Sequence, residues 1–161
     1  MFRIGDMAVY PSHGVGVVQA IEKKEISGKR NTFYILKILD NGMKIMIPTN
    51  NADSVGLREL IPQQMVPKVF DVLREKRVAV ENQTWNRRYK EYAEKIRTGS
   101  VFEIAEVLKD LNLLKSQKTL SFGERKMLDT AKNLLIKELA IATDSEEESI
   151  KEKLDHIFNN T

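Results

Sequence analysis

The chain has 161 residues, of which 42% are hydrophobic and 30% charged: enough apolar material for a core, at a length typical of one or two small domains. It contains no cysteine and only two histidines, His13 and His156, far apart in sequence. That excludes disulfides, thiolate metal sites and a cysteine nucleophile, and argues against any histidine metal centre.

The first 62 residues carry the pattern of short strands. Residues 7–10 form a brief apolar run that stops at Pro11-Ser12-His13-Gly14, a turn signal. Residues 15–21, rich in β-branched side chains, lead into the charged stretch 22–25, and Ser27-Gly28 marks a second turn. Residues 32–39 alternate Phe33, Ile35 and Lys37 against Tyr34, Leu36 and Ile38. Asp40-Asn41-Gly42 predicts a hairpin into residues 43–47, and residues 57–60 offer a fifth strand. So few short strands predict a small twisted sheet that curls toward a barrel.

After Pro62 the apolar period becomes helical. Residues 63–74 place Met65, Val66, Val69, Phe70 and Leu73 on one face, and residues 75–83 are polar enough for a loop. Residues 85–97 carry a stripe of Trp85, Tyr89, Tyr92 or Ala93, and Ile96, with Thr84 as expected N-cap and Gly99 as the stop. Ser100 is placed to cap a helix through residue 114, with Val101, Ile104, Ala105, Leu108 and Leu111 inward. Ser121-Phe122-Gly123-Glu124 is a capping-box pattern opening a helix to about residue 142. A last amphipathic segment, 145–158, opens with Glu146, Glu147 and Glu148, which suit a positive helix N-terminus. The expectation is an α+β chain: a small β domain over residues 1–62, then an all-α bundle of about five helices over 63–161.

Charge is unevenly spread: +2 over residues 1–62, +5 over 63–140 and −4 over 141–161. Alone, this favours solvated helix faces over a polyanion partner for the basic middle. No apolar run approaches the ~18 residues of a membrane span and the start lacks a signal-peptide stretch, so a soluble, cytoplasmic protein is expected. Enzyme motifs are missing: there is no phosphate-binding Gly-Lys loop, nucleophile elbow or zinc-protease helix, and Gly14-Val15-Gly16 lacks the third glycine of a dinucleotide site. The sequence gives no ground for a catalytic residue, a cofactor or a small-molecule ligand. The sharpest local feature is Trp85-Asn86-Arg87-Arg88-Tyr89-Lys90, which gathers the lone Trp, two Arg and a Lys in the first two turns of one helix. Arg and Lys there would neutralise phosphates, and a flat indole can wedge beside a base. The competing reading makes Trp85 core, the commoner fate of a Trp at the end of an apolar stripe.

Met7-Ala8-Val9-Tyr10-Pro11-Ser12-His13-Gly14-Val15-Gly16 resembles the opening signature of the CarD/CdnL family of bacterial transcription factors, a module shared with the transcription-repair coupling factor. Trp85-Asn86-Arg87-Arg88-Tyr89 is similar to that family's Trp-x-Arg-Arg-Tyr motif, and residues 120–128 resemble a third family element. No helicase region follows, so the free-standing type is expected. The resemblance implies a Tudor-like N-terminal domain that docks on the RNA polymerase β subunit at its protrusion lobe. It further implies a helical domain at the upstream fork of promoter DNA, with Trp85 as minor-groove wedge and Arg87, Arg88 and Lys90 on the backbone. The outcome it implies is a stabilised open complex, and the place of work the nucleoid. Family members carry basic residues for polymerase contact on the second and fourth strands. The matching positions here are Lys24, which keeps charge without a bidentate fork, and Met46, which keeps neither.

Overall fold

The computed structural model describes residues 1–11, 13–75, 85–98 and 100–159, apart from the side chains of Trp85 and Asn86. The chain divides into two compact units, Met1–Leu60 and Ile61–Thr161. The architecture is α+β: an N-terminal, Tudor-like antiparallel sheet followed by helices.

In the first unit β1 (Met7–Tyr10), β2 (Gly14–Ile26), β3 (Lys29–Ile38), β4 (Lys44–Pro48) and β5 (Arg58–Glu59) form one sheet in the order β4-β3-β2-β1-β5. Its inner face buries Ala8, Val18, Tyr34, Leu36, Ile38 and Ile47, closed by Ala52 and Leu57 from the segment after β4. The period-2 alternation along β3 therefore places its faces as the sequence predicts. The β2–β3 connection is a two-residue hairpin at Ser27 (φ 54°) and Gly28 (φ 79°), with Ile26 opposite Lys29. Positive φ at both positions suits the strand twist. The β3–β4 turn uses Gly42 at φ 72°, and the Asn41 side chain accepts the Met43 amide at 2.9 Å.

Two differences from the sequence reading matter. Strand β2 continues through 22–26, where charged residues face water on both sides and leave no apolar period to detect. A register shift between Val18 and Ala20 leaves Gln19 as a bulge, so the face that carries Val18 continues at Ile21, which is itself exposed. The glycines that mimic a dinucleotide motif serve the sheet. Gly14 holds φ 94°, and a Cβ on Gly16 would lie 2.8 Å from Leu36 Cγ and 2.9 Å from the Lys37 carbonyl.

The second unit opens with a 3₁₀ turn, Gln63–Met65, and continues as α1 (Val66–Arg74), α2 (Trp85–Thr98), α3 (Val101–Gln117), α4 (Phe122–Ala142) and α5 (Glu147–Asn159). Helix α3 is central and packs on α1, α2 and α4, while α5 lies against α4 and α1. This explains why α3 buries Val107 and Lys109 beyond the expected Ile104, Ala105, Leu108 and Leu111. At α4 the capping box is present: Ser121 Oγ accepts the Glu124 amide at 3.2 Å, and Glu124 Oε1 accepts the Ser121 amide at 2.9 Å. Ser100 occupies the N-cap of α3, but its side chain makes no capping bond. Thr84, Gly99 and most of the 75–83 loop lie outside the described residues. The buried Glu138 accepts the Ile61 amide at 3.0 Å, fixing the entry to the helical unit on α4.

Candidate nucleic-acid interface

Helix α2 is seated by a narrow apolar stripe. Tyr92 and Ile96 are buried and Ala93 half-buried against the helical core, while Arg87, Tyr89 and Lys90 are exposed and Arg88 is half-buried. The three cations of the predicted cluster are thus gathered on the first two turns of one helix. The Trp85 backbone opens that helix, and its side chain lies outside the described residues, so the indole's surroundings stay an expectation.

Like α1, helix α2 begins without an acidic side chain, but α2 adds two arginines. Unfavourable charge normally avoids an N-terminus, where unpaired amides already make a positive pole. Helices α3, α4 and α5 follow that rule with Glu103, Glu124, and Glu147 with Glu148 in their first turns. Helix α2 has no acidic residue in its first turn and carries Arg87 and Arg88 there instead. A positive pole reinforced by arginines is what an incoming polyanion would neutralise.

The underside of α2 is polar in a way the sequence reading missed. Burial, together with the charge of the Asp110 carboxylate on α3, pushes the Tyr92 phenol well above its ordinary range. Asp110 is itself 8% exposed, and burial raises its carboxyl despite the opposing pull of Lys109 and Lys95. Lys109 Nζ lies 3.5 Å from Asp110 and 3.7 Å from Glu75 at the end of α1, and Lys95 crosses from α2 to Glu106 on α3 at 2.9 Å. Nothing in the apolar period marks Lys109 or Asp110 as buried. A second basic surface lies at the α3–α4 turn, a groove of about 590 Å³ lined in part by Lys115, Lys118, Arg125 and Leu128. Phe122 nearby in sequence is 77% exposed.

On the sheet, register puts both expected docking residues on the face opposite Tyr34, Leu36 and Ile38. Lys24 stands opposite Asn31, and Met46 opposite Ile35, on the face that also carries Phe33. They are not adjacent: their β3 partners are four residues apart, about 13 Å along the strand. Lys24 sits where the β2–β3 hairpin extends past the end of β4, 3.6 Å from Glu22, and both side chains are half-exposed. Met46 is 43% exposed on β4, which is an edge of the sheet. Among the described residues there is no cluster of three potential metal ligands and no helix long and apolar enough to cross a membrane.

Two family profiles divide the chain between them. The CarD-like/TRCF RID domain matches residues 2–61, and the CarD C-terminal domain matches residues 68–155. The chain belongs to the CarD/CdnL family of transcription factors. Within it, the chain is 36% identical over 154 residues to the protein YdeB of Bacillus subtilis (strain 168), covering 94% of this chain and 98% of that one. Two solved N-terminal domains from Myxococcus xanthus are also similar. CdnLNt shares 59% identity over 38% of this chain and 86% of its own, at a TM-score of 0.33. The 72-residue N-terminal domain of CarD, solved by NMR, shares 34% over 37% of this chain and 79% of its own, also at 0.33.

Proposed function

We propose that this CarD-family protein is a non-catalytic transcription regulator that holds RNA polymerase with one unit and promoter DNA with the other. Residues 1–62 dock on the β subunit at the protrusion lobe, with Lys24 and Met46 on the contacting face and β4 available as an edge strand. Residues 63–161 meet the upstream fork, where Arg87, Arg88 and Lys90 hold the backbone and Trp85 wedges into the minor groove. The observation that carries this reading is the acid-free, arginine-bearing start of α2, whose Arg87 and Lys90 face solvent while Tyr92 and Ile96 are buried.

Magnitudes support a tethered reader. Three or four phosphate contacts give only a weak grip on free DNA, with a Kd of about 10⁻⁴–10⁻⁶ M. Docking on polymerase brings DNA to an effective concentration of roughly mM, at which such a grip suffices. Unstacking a base step costs a few kcal/mol on intact duplex and less beside melted DNA, so a wedge favours the open state by the difference. A bias of about 1.4 kcal/mol shifts the closed/open ratio tenfold.

The test is Trp85→Ala, followed by melting temperature and open-complex lifetime on the same sample. A wedge predicts wild-type polymerase affinity, a small stability loss and a shortened lifetime. A core Trp predicts a loss of ~3–5 kcal/mol with no fork-specific effect, and that result would sink the wedge. Fork-DNA binding with and without polymerase separates this reading from an adaptor that never touches DNA.

A further inference from the structure

The chain leaves the sheet and enters the helical core almost at once. Glu59 is the last residue of β5 and pairs with Ala8 on β1. Ile61, two residues on, is 6% exposed and already belongs to the helical core. Leu60 alone separates these two anchors, so the Cα atoms of Glu59 and Ile61 are at most about 7 Å apart. The run Arg58-Glu59-Leu60-Ile61-Pro62 has no glycine, and Pro62 disfavours a helical Ile61. Pro62 holds φ −62° and ψ 143°, and its carbonyl accepts the Met65 amide at 2.9 Å to open the 3₁₀ turn.

A backbone amide that enters a core outside any helix or ladder needs an acceptor. For Ile61 it is Glu138, near the end of α4, whose Oε2 accepts the amide at 3.0 Å. Glu138 is 2% exposed, and taking a carboxylate out of water is costly. An apolar side chain at 138 would avoid that cost but orphan the amide. The bond also defines a point, since apolar contact around Ile61 is non-directional and a hydrogen bond is not. Were Ile61 to leave its seat, the next buried residue is Val66, and the unanchored stretch would grow from Leu60 alone to residues 60–65. We infer that Glu138, by accepting the Ile61 amide, is the positioning residue that transmits polymerase docking to the fork. It keeps the connection at one residue, so a docked sheet delivers the helical unit to DNA at the high effective concentration of a short tether. A longer tether lowers that concentration, roughly as the −3/2 power of its length. This role rests on the two-contact reading above, but the anchor itself can be followed without polymerase or DNA, through exchange of the Ile61 amide.

The full-length protein is compared with Glu138→Ala, with Glu138→Gln, which keeps an acceptor, and with a variant carrying Gly-Ser-Gly-Ser between residues 60 and 61. The insertion leaves Ile61 and Glu138 together and lengthens the tether alone, so it decides the matter if Glu138→Ala does not fold. Ile61 amide exchange, the affinities of the free protein for fork DNA and for polymerase, and open-complex lifetime are measured on each. Ile61 exchange is expected to quicken at least tenfold in Glu138→Ala and to stay near wild type in Glu138→Gln. In Glu138→Ala and in the insertion variant the lifetime should shorten at least threefold, roughly as tether length dictates, with both free affinities at wild-type values. Glu138→Gln should recover most of the lifetime. A wild-type lifetime in the insertion variant, or in a folded Glu138→Ala whose Ile61 amide exchanges fast, would overturn the role, whatever the melting temperatures. So would a shortened lifetime matched by an equal loss of free affinity, because the defect would then lie in one contact and not in the tether. Arg87→Ala is the control for the reading beneath. If its lifetime is that of wild type while the insertion shortens it, the DNA reading of α2 fails and the role of Glu138 stands.

Discussion

Glu124 shows how one side chain is shared between folding and charge. It is 1% exposed, and its Oε1 accepts both the Ser121 amide at 2.9 Å and Lys118 Nζ at 3.1 Å. Burial alone would raise its carboxyl, but the Ser121 backbone and hydroxyl and the Lys118 ammonium outweigh burial and hold it below the usual carboxylate range. A carboxyl lowered on folding stabilises the native state above its unfolded pKa, and that contribution is lost as pH falls through the folded value. Glu124→Gln should therefore melt below the wild type at pH 7, and the gap should close in acid, below about pH 4. Melts at neutral and acid pH check this, and a gap that stays constant would show that the charge contributes nothing. The capping box itself is legible in the sequence because its four positions are contiguous. Lys109, Asp110 and Glu138 are not, since a charged residue in a helical period reads as outward unless its partner on another helix is known. Their burial is a property of α3 lying between three helices and of Ile61 presenting an amide to α4.

At the level of elements, legibility followed how much apolar contrast each segment carries. Strands β1, β3 and β4 and the inward stripes of α1, α3 and α4 sit where alternation or helical period places them. The outer half of β2 does not, because charged residues there alternate with one another. Gly14 and Gly16 illustrate the same limit: the sequence excludes a cofactor loop, but only the packing shows why each must be glycine. Gly16 pairs with Ile38 across the β2–β3 ladder and lies under Leu36. Gly16→Ala must push either Leu36 or the Lys37 carbonyl, and overpacking of this kind costs about 1–3 kcal/mol. The expected result is a melting transition of the sheet unit lowered by several degrees or more, with the helical unit unchanged in the same scan. An unaltered sheet transition would mean that β2 and β3 can separate there at no cost.

For the whole molecule, the division into Met1–Leu60 and Ile61–Thr161 makes the two proposed contacts separable. Residues 1–60 alone should bind the polymerase β lobe and residues 61–161 alone should not, while the helical fragment keeps the weak, salt-sensitive affinity for fork DNA. Pull-down on the isolated lobe checks the first part, and helical-fragment binding as tight as that of the full chain would reverse the assignment. The structure also says where to cut. A fragment beginning at residue 63 loses Ile61, which is buried in the helical core and whose amide Glu138 accepts, so it should melt below one beginning at 61.

The hairpin that carries Lys24 extends beyond β4 as a ribbon of only two strands, held by its own ladder and the Ser27-Gly28 turn. Two strands without a third are marginal in water, so this is the part of the sheet that opens most readily. A surface that fluctuates before contact must be stilled on contact, at about 1–2 kcal/mol for each residue fixed. Whatever seats itself against Lys24 therefore spends part of its gain on quieting the ribbon. If Lys24 meets a partner as proposed, that contact is weaker by the cost of ordering the ribbon.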